Sequence, residues 1–338
     1  MSSERHLKII CVTPIKNEAW ILDRFIQCAS LWADHIIIAD QNSTDGSQEI
    51  ARQYPKVTLI ENPSPVYDEG ARQTLLLNAA RQIPGDRLII ALDADEMLTA
   101  NWSTSSEWQQ ILQAPKGTVL YFQWVNVMPG CASGWLCETK LPFGFVDDGS
   151  DHSGQAIHSK RIPLPEKAPS IALQDIRVLH YQYTDWDRME SKQRWYQCWE
   201  RINNPTKRPI QIYRQYRHMY GVDSSEVQPL KPEWLAEYGE QGVDMTTIQP
   251  RAFYYWDREL LDLFSKYGID RFRKLDVWQA DWQEISQQMG YEGQQIEPLA
   301  DPRSSFEKSV HAWLKQTQKD SKRWTTRLVQ NLLRIFGW

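Results

Sequence analysis

The stretch Arg87-Leu88-Ile89-Ile90-Ala91-Leu92-Asp93-Ala94-Asp95-Glu96 is an apolar run that ends abruptly in carboxylates. A strand without polar alternation must be covered on both faces, as in the parallel sheet of an α/β domain. Three similar runs precede it: residues 8–13, which stop at Pro14, residues 35–39, which end at Asp40, and residues 57–61. Helical stretches separate them. Asn17 reads as the cap of a helix that turns Trp20, Ile21, Phe25, Cys28 and Trp32 to one side. The turn Ser43-Thr44-Asp45-Gly46 opens a second helix, which stops before Pro55. Residues 69–83 form a third, with Leu75, Leu76 and Ala79 inward.

In sheets of this kind ligands bind outside the carboxyl ends of the strands. Residues 14–18, 40–45 and 93–96 are therefore expected to share one rim. Two carboxylates one residue apart are costly to bury unpaired, and a hard divalent cation is a natural partner. On its own such a triplet is more often a solvated turn; its place at the end of a buried strand gives it weight. Asp40 can accept a hydrogen bond from a ligand N–H or hydroxyl, because Asp45 is better placed to cap the turn that follows.

Three segments resemble the motifs of glycosyltransferase family 2. Val12-Thr13-Pro14-Ile15-Lys16-Asn17-Glu18 is similar to its first-strand signature. Ile38-Ala39-Asp40-Gln41-Asn42-Ser43-Thr44-Asp45-Gly46-Ser47 is similar to its nucleotide-binding segment, with Gln41-Asn42 where Asp-Gly is usual. Leu92-Asp93-Ala94-Asp95-Glu96 is similar to its DXD element. The resemblance is strong over the first hundred residues and weakens beyond them. It implies a GT-A fold, a Rossmann-like, mostly parallel sheet flanked by helices, over residues 1–220, with a donor half at 1–115 and an acceptor half at 116–220. Residues 221–338 are expected to form a helical C-terminal extension.

The resemblance further implies a UDP-, GDP- or dTDP-sugar donor. Asp40 would contact base or ribose in a pocket lined by Pro14 and Glu18, and Asp93 would approach the ribose. Asp95 would ligate Mg²⁺ or Mn²⁺ on the diphosphate, and Arg72, on the third helix, would approach the nucleotide. His180 is a candidate further metal ligand, although a lone histidine after apolar residues is more often structural. The implied reaction is an inverting, metal-dependent transfer to a glycan or lipid-linked acceptor, in keeping with cell-envelope polysaccharide synthesis. A general base must come from the acceptor side, and Asp147 and Asp148 are the first candidates, ahead of Glu138 and Asp151. The basic group Lys160-Arg161, or Lys192 and Arg194 on the helix that follows, could meet a diphosphate, although surface solvation is the default for each. Two other readings compete. The acid pair argues against an inactive sensor or scaffold that binds nucleotide sugar or glycan. A sugar nucleotidyltransferase is disfavoured because no glycine-rich loop follows the first strand.

Residues 118–127 predict a strand, residues 128–170 a long irregular loop, 176–183 a strand and 186–202 a helix. Residues 221–250, rich in Pro, Gly and acids, suggest a boundary, with helices at 253–267 and 269–289 beyond it. The net charge of −5 speaks against nucleic-acid binding, and five cysteines without a CxxC pair suggest free thiols in a reducing compartment. No apolar run approaches bilayer length, so a cytoplasmic location is expected. Residues 304–338 open on Ser304-Ser305-Phe306-Glu307, a capping-box pattern, and hold seven Lys or Arg against two Asp or Glu. Phe306, Val310 and Trp313 recur at helical spacing, as do Trp324, Leu328, Leu332 and Ile335. Such a basic amphipathic segment either docks on the rest of the chain or touches the membrane face.

Overall fold

The computed structural model describes residues 7–292 and 299–338. In chain order the elements are β1 (Leu7–Ile15), α1 (Leu22–Trp32), β2 (His35–Asp40), α2 (Ser47–Ala51), β3 (Val57–Glu61), α3 (Glu69–Arg81), β4 (Asp86–Ala91), β5 (Glu96–Leu98), α4 (Ser106–Gln113), β6 (Val119–Val127), β7 (Ser133–Val146), β8 (Ser170–Ala172), β9 (Val178–His180), α5 (Trp186–Asn203), α6 (Pro209–Tyr216), β10 (Gln228–Pro229), α7 (Ala236–Glu240), α8 (Tyr255–Tyr267), α9 (Trp282–Gln288), α10 (Ser305–Gln316) and α11 (Trp324–Leu333), joined by loops and 3-10 turns. They form two compact units, Met1–Thr184 with Gln228–Gln249, and Asp185–Val227 with Pro250–Trp338.

The first unit is a mixed α/β layer structure. Its main sheet runs β3-β2-β1-β4-β7-β6-β9-β5, with β8 on β6 and β10 on β7. The first four strands are parallel, and β7 enters antiparallel to β4. The uninterrupted apolar runs are explained by burial on both faces. Cys11, Ile15, Ile36, Ile38, Leu88 and Ile90 pack under α1 with Leu22, Phe25 and Ala29. The alternate residues Ile10, Val12, Ile37, Ala39, Ile89 and Ala91 pack under α3 with Leu76, Leu77 and Ala80.

Proline usually excludes a central strand, yet β1 continues through Pro14 to Ile15. The register explains this. Val12 O accepts from Leu92 N, so even-numbered β1 residues face β4, and β4 has already ended at Ala91, opposite Val12. The missing N–H of Pro14 thus faces no ladder partner.

Residues 133–146, expected to lie in a loop, form the longest strand. Gly134, Gly144 and Pro142 obscure its alternation, and the fold uses each. A Cβ on Gly134 would sit 2.6 Å from Asn126 O, and one on Gly144 would sit 2.7 Å from a Leu120 methyl. Pro142 lies beside a register shift between Leu120 and Tyr121. The expected strand at 176–183 is only Val178–His180, followed by a 3-10 turn.

The chain leaves the sheet unit at residue 185 and returns to it for residues 228–249, so the units part at places other than residue 220. The second unit is helical. Phe264 packs against Phe272, Trp278 and Trp282, so several of the tryptophans are core residues. The stretch expected as one helix at 269–289 is a 3-10 turn, Ile269–Phe272, then the short α9. The capping box at Ser304 and Glu307 is formed, and α10 follows it.

Candidate functional site

The parallel register fixes the rim. Ile15 stands opposite Asp40, and Val12 opposite Ala91, so the carboxyl ends of β2, β1 and β4 are neighbours, and Asp93 and Asp95 follow directly. Strands lie about 4.8 Å apart, which puts the Asp40 and Asp93 backbones roughly 10 Å apart across β1. The two loops of this rim are stitched together. Asn17, at φ 58°, donates its N–H to Ser43 Oγ at 2.8 Å, and its Oδ1 accepts from Thr44 N at 2.8 Å. This corrects the expectation of a helix cap at Asn17, because α1 begins only at Leu22. Glu18 N donates to Ser47 Oγ at 2.9 Å. Glu18 Oε2 accepts from the Trp20 indole at 2.7 Å.

Asp40 is buried, and its two oxygens differ. Oδ2 accepts from Ser43 N at 3.1 Å and Gln48 Nε2 at 2.6 Å. Oδ1 has no hydrogen-bond partner among the described residues. A buried acceptor left open is expensive unless a ligand completes it. Asp45 caps Ser47 N at 3.1 Å, as its position in the turn suggests. Gln41, the departure from the usual motif, donates its amide to Ser64 O at 2.8 Å and Val66 O at 3.0 Å, which fastens the loop after β3. A pocket of about 310 Å³ opens beside Asp40, bounded by Gln48, Arg52, Leu59 and Glu61. That volume is at the lower end for small-molecule sites.

Arg161 occupies the centre of the acidic side. Its Nη2 donates to Asp93 Oδ2 at 2.8 Å and Glu96 Oε1 at 2.9 Å, and its Nη1 donates to Glu96 Oε2. Its guanidinium lies 4.7 Å from the centre of the Phe143 ring. Glu96 is fully buried, and burial pushes its pKa up to about 7, with Asp93 and Asp95 adding to the rise and Arg161 opposing it. Arg161 itself is held well above its ordinary range by Asp93 and Glu96 against the pull of burial.

Arg161 arrives there because its loop is spliced onto the start of α3. Glu69 N donates to Ala156 O at 3.0 Å and Gly70 N to Gln155 O at 2.9 Å. Glu69 Oε2 accepts from Ser159 N at 2.9 Å. Two glycines permit the contact, since a Cβ on Gly154 would sit 2.3 Å from Gly70 Cα. Composition gives no hint of this pairing; the local signal is no more than the basic pair Lys160-Arg161 in a polar loop.

Other expected site residues lie as follows. Pro14 is in β1 opposite Ala39. Arg72 is on the first turns of α3, its guanidinium 4.7 Å from the Tyr67 ring centre. His180 pairs in register with Glu96, and Tyr181 N donates to Asp95 O at 2.7 Å, so His180 is next to the acidic segment. Its ring stacks on Trp124, and Nδ1 is 2.9 Å from Asn126 Oδ1. Asp147 and Asp148 are not brought to the rim. Asp147 N donates to Arg87 O at the start of β4, six residues before Asp93, roughly 20 Å along the strand. Asp147 is buried in an ion pair with Arg81 at 2.9 Å and Arg87 at 3.0 Å. Asp148 caps Ser150 N at 2.9 Å and is exposed. A base at the rim would have to be another group, because these two carboxyls hold the opposite end of the sheet. Glu138 and Asp151 are exposed.

Among the described residues no three His, Cys, Asp or Glu side chains converge on one point as an all-protein metal cage. Asp95 is buried beside Asp93, and a pair of carboxylates is the kind of oxygen donor that Mg²⁺ accepts when phosphate and water complete its shell.

Residues 10–106 match the sequence profile of Glycosyl transferase family 2. No curated protein matches the sequence. Solved structures resemble parts of the chain. A 4-diphosphocytidyl-2C-methyl-D-erythritol synthase aligns at 12% identity and TM-score 0.32, covering 50% of this chain and 89% of that one. Mannose-1-phosphate geranyltransferase from Thermus thermophilus aligns at 15% identity and TM-score 0.28, covering 43% of this chain and 51% of that one. Mannose-6-phosphate isomerase from Helicobacter pylori aligns at 13% identity and TM-score 0.27, covering 35% of this chain and 51% of that one. The chain thus spans about half the length of the last two.

Proposed function

We infer that this chain, whose residues 10–106 match the profile of glycosyl transferase family 2, moves a sugar from a nucleoside diphosphate sugar to a glycan or lipid-linked acceptor. The observation that carries the reading is the shared rim, where Asp40 with its open buried oxygen stands two strands from the Asp93 and Asp95 pair. On this reading Asp40 Oδ1 accepts an N–H of the base or a ribose hydroxyl, with Pro14 and Glu18 lining that end and Arg72 near the nucleotide. Asp93 faces the ribose. Asp95 would hold Mg²⁺ or Mn²⁺, with His180 as a further donor, and such an ion would stabilise the departing diphosphate as a Lewis acid. Arg161 moves part of its charge from Asp93 to phosphate oxygens as the donor enters, because a guanidinium offers five donors and can serve both. The acceptor hydroxyl then attacks the anomeric carbon as the bond to the diphosphate breaks, inverts that centre and gives its proton to a base other than Asp147 or Asp148.

A thermal-shift screen of UDP-, GDP- and dTDP-sugars with and without Mn²⁺ tests this. Ligand that binds only the folded state raises the melting temperature by mass action. One nucleotide class is expected to stabilise the chain in a metal-dependent manner, and Asp95→Ala to abolish the effect. Equal stabilisation of wild type and variant would remove Asp95 from the metal role. Slow release of nucleoside diphosphate from the donor separates an enzyme from an inactive binding module; binding without any release would favour the module.

A further inference from the structure

We propose that the outer face of α11 lies flat on an anionic lipid surface. The segment 304–338 is anchored by its inner side alone. Val310, Leu314 and Trp338, with Trp313 and Leu333, pack on Ile210 and Tyr213 of α6. Arg214 fastens the junction, donating to Leu314 O at 2.8 Å, Thr317 Oγ1 at 2.7 Å and Gln318 Oε1 at 2.8 Å. These bonds hold the end of α10; α11 joins the same cluster through Leu333 and Trp338, which leaves its other side outward. That other side is apolar: Trp324 is 76% exposed, Leu328 56%, Leu332 55% and Ile335 78%. Their spacing is i, i+4, i+8 and i+11, one continuous stripe at helical period. Phe336 extends it, and its ring meets Phe306 of α10 at 5.6 Å between centres. Isolated exposed apolar residues need no account, but a contiguous stripe of this size marks a contact. The two apolar sets expected at 304–338 thus differ: in α10 Val310 is buried and Trp313 partly buried while Phe306 is exposed, and the set of α11 faces outward.

The charge beside the stripe identifies the partner. Residues 321–338 contain no Asp or Glu, and Arg323, Arg327 and Arg334 form a second line, i, i+4 and i+11, alongside the apolar one. Arg327 and Arg334 have no ion-pair partner among the described residues, and Arg323 pairs only with Asp320, at 2.8 Å. The local excess of cations is opposite in sign to the net charge of −5 of the chain. Two copies joined through this face would bring like charges together. A bilayer surface accepts both halves of the pattern at once: aromatic and aliphatic side chains enter the acyl boundary, and arginines meet phosphate. The helix lies on the surface rather than spanning it, since no helix among the described residues is long and apolar enough to cross a membrane.

The test is co-sedimentation of the full chain with vesicles of phosphatidylcholine and with vesicles that also contain phosphatidylglycerol. Wild type should pellet with the phosphatidylglycerol vesicles and lose binding as salt is raised. Leu328→Gln with Ile335→Gln, both at exposed positions and so neutral for folding, should weaken binding about tenfold or more, since the apolar transfer is lost. Arg323→Glu with Arg327→Glu should weaken binding only to the phosphatidylglycerol vesicles. No binding of wild type to either vesicle, or binding unchanged in both variants, would overturn the proposal. Light scattering that shows a wild-type dimer split by Leu328→Gln, with no vesicle binding, would replace lipid by a second copy. The test is independent of the nucleotide-sugar reading, because it needs neither donor nor turnover.

Discussion

Arg161 joins two carboxylates that would otherwise repel at the rim, Asp93 and Glu96, and Glu96 is fully buried. Removing one partner of a buried pair strands the other, typically at about 3–5 kcal/mol. Arg161→Ala should therefore lower stability by about that amount and weaken donor binding as well, read by chemical denaturation and by donor titration; loss of stability with unchanged donor affinity would make Arg161 purely structural. Asp147 provides the contrast. Burial raises its pKa, but the hydrogen bonds and charges of Arg81 and Arg87 outweigh it and hold the carboxyl below the usual range. A lowered folded pKa contributes stability above the pKa of the unfolded chain and loses it as pH falls through the folded value. Asp147→Asn should cost about 1.5–3 kcal/mol near neutrality, the deficit shrinking in acid, in melting curves against pH. Transfer by the folded variant should persist, since the group is remote from the rim. At this scale the rim positions of Asp40, Asp93 and Asp95 were legible because Asp40 ends one buried strand and the other two lie just past another. Arg161 was legible only as a basic residue in a loop, since its partners lie 65 and 68 positions earlier. Asp147 misled because an acidic pair before a glycine looks the same whether it faces a cleft or closes the far end of a sheet.

The elements that decide the site are β1, β2, β4 and the splice between α3 and the loop that follows β7. The parallel strands could be read directly, because burial on both faces leaves unbroken apolar runs. β7 could not, because its glycines and proline serve close approach and a register shift, which look like loop signals in one dimension. The splice makes its own prediction. Gly154→Ala would force a Cβ to 2.3 Å from Gly70 Cα, a backbone neighbour that cannot rotate away. Overpacking of this kind costs about 1–3 kcal/mol. The variant should stay folded but release the loop, seen as faster proteolysis within residues 148–161 and a raised donor KM. An unchanged proteolysis pattern would mean that the loop is held by other contacts.

For the whole molecule the instructive feature is the return of residues 228–249 to the sheet unit. Trp234, Tyr238, Val243 and Met245 belong to the same core as β1 and α1. Tyr238 Oη donates to Leu98 O at 2.9 Å, and Arg24 Nη2 donates to Thr247 O at 2.6 Å. Tyr238→Ala in the full chain should cost about 3–5 kcal/mol, as large aromatic truncations in cores do, measured by denaturant melts of the sheet unit. Composition flagged 221–250 as a border, but no local pattern says that a chain will leave a core and come back, since that depends on tertiary packing. The same reasoning applies to the first turn of α3. Its amides at Glu69, Gly70 and Ala71 are already taken, by Ala156 O, Gln155 O and Asp68 Oδ1. The electropositive tip of that helix, a common cradle for anions, is therefore closed to incoming phosphate, and attraction for a negatively charged substrate must come from side chains and counter-ions instead.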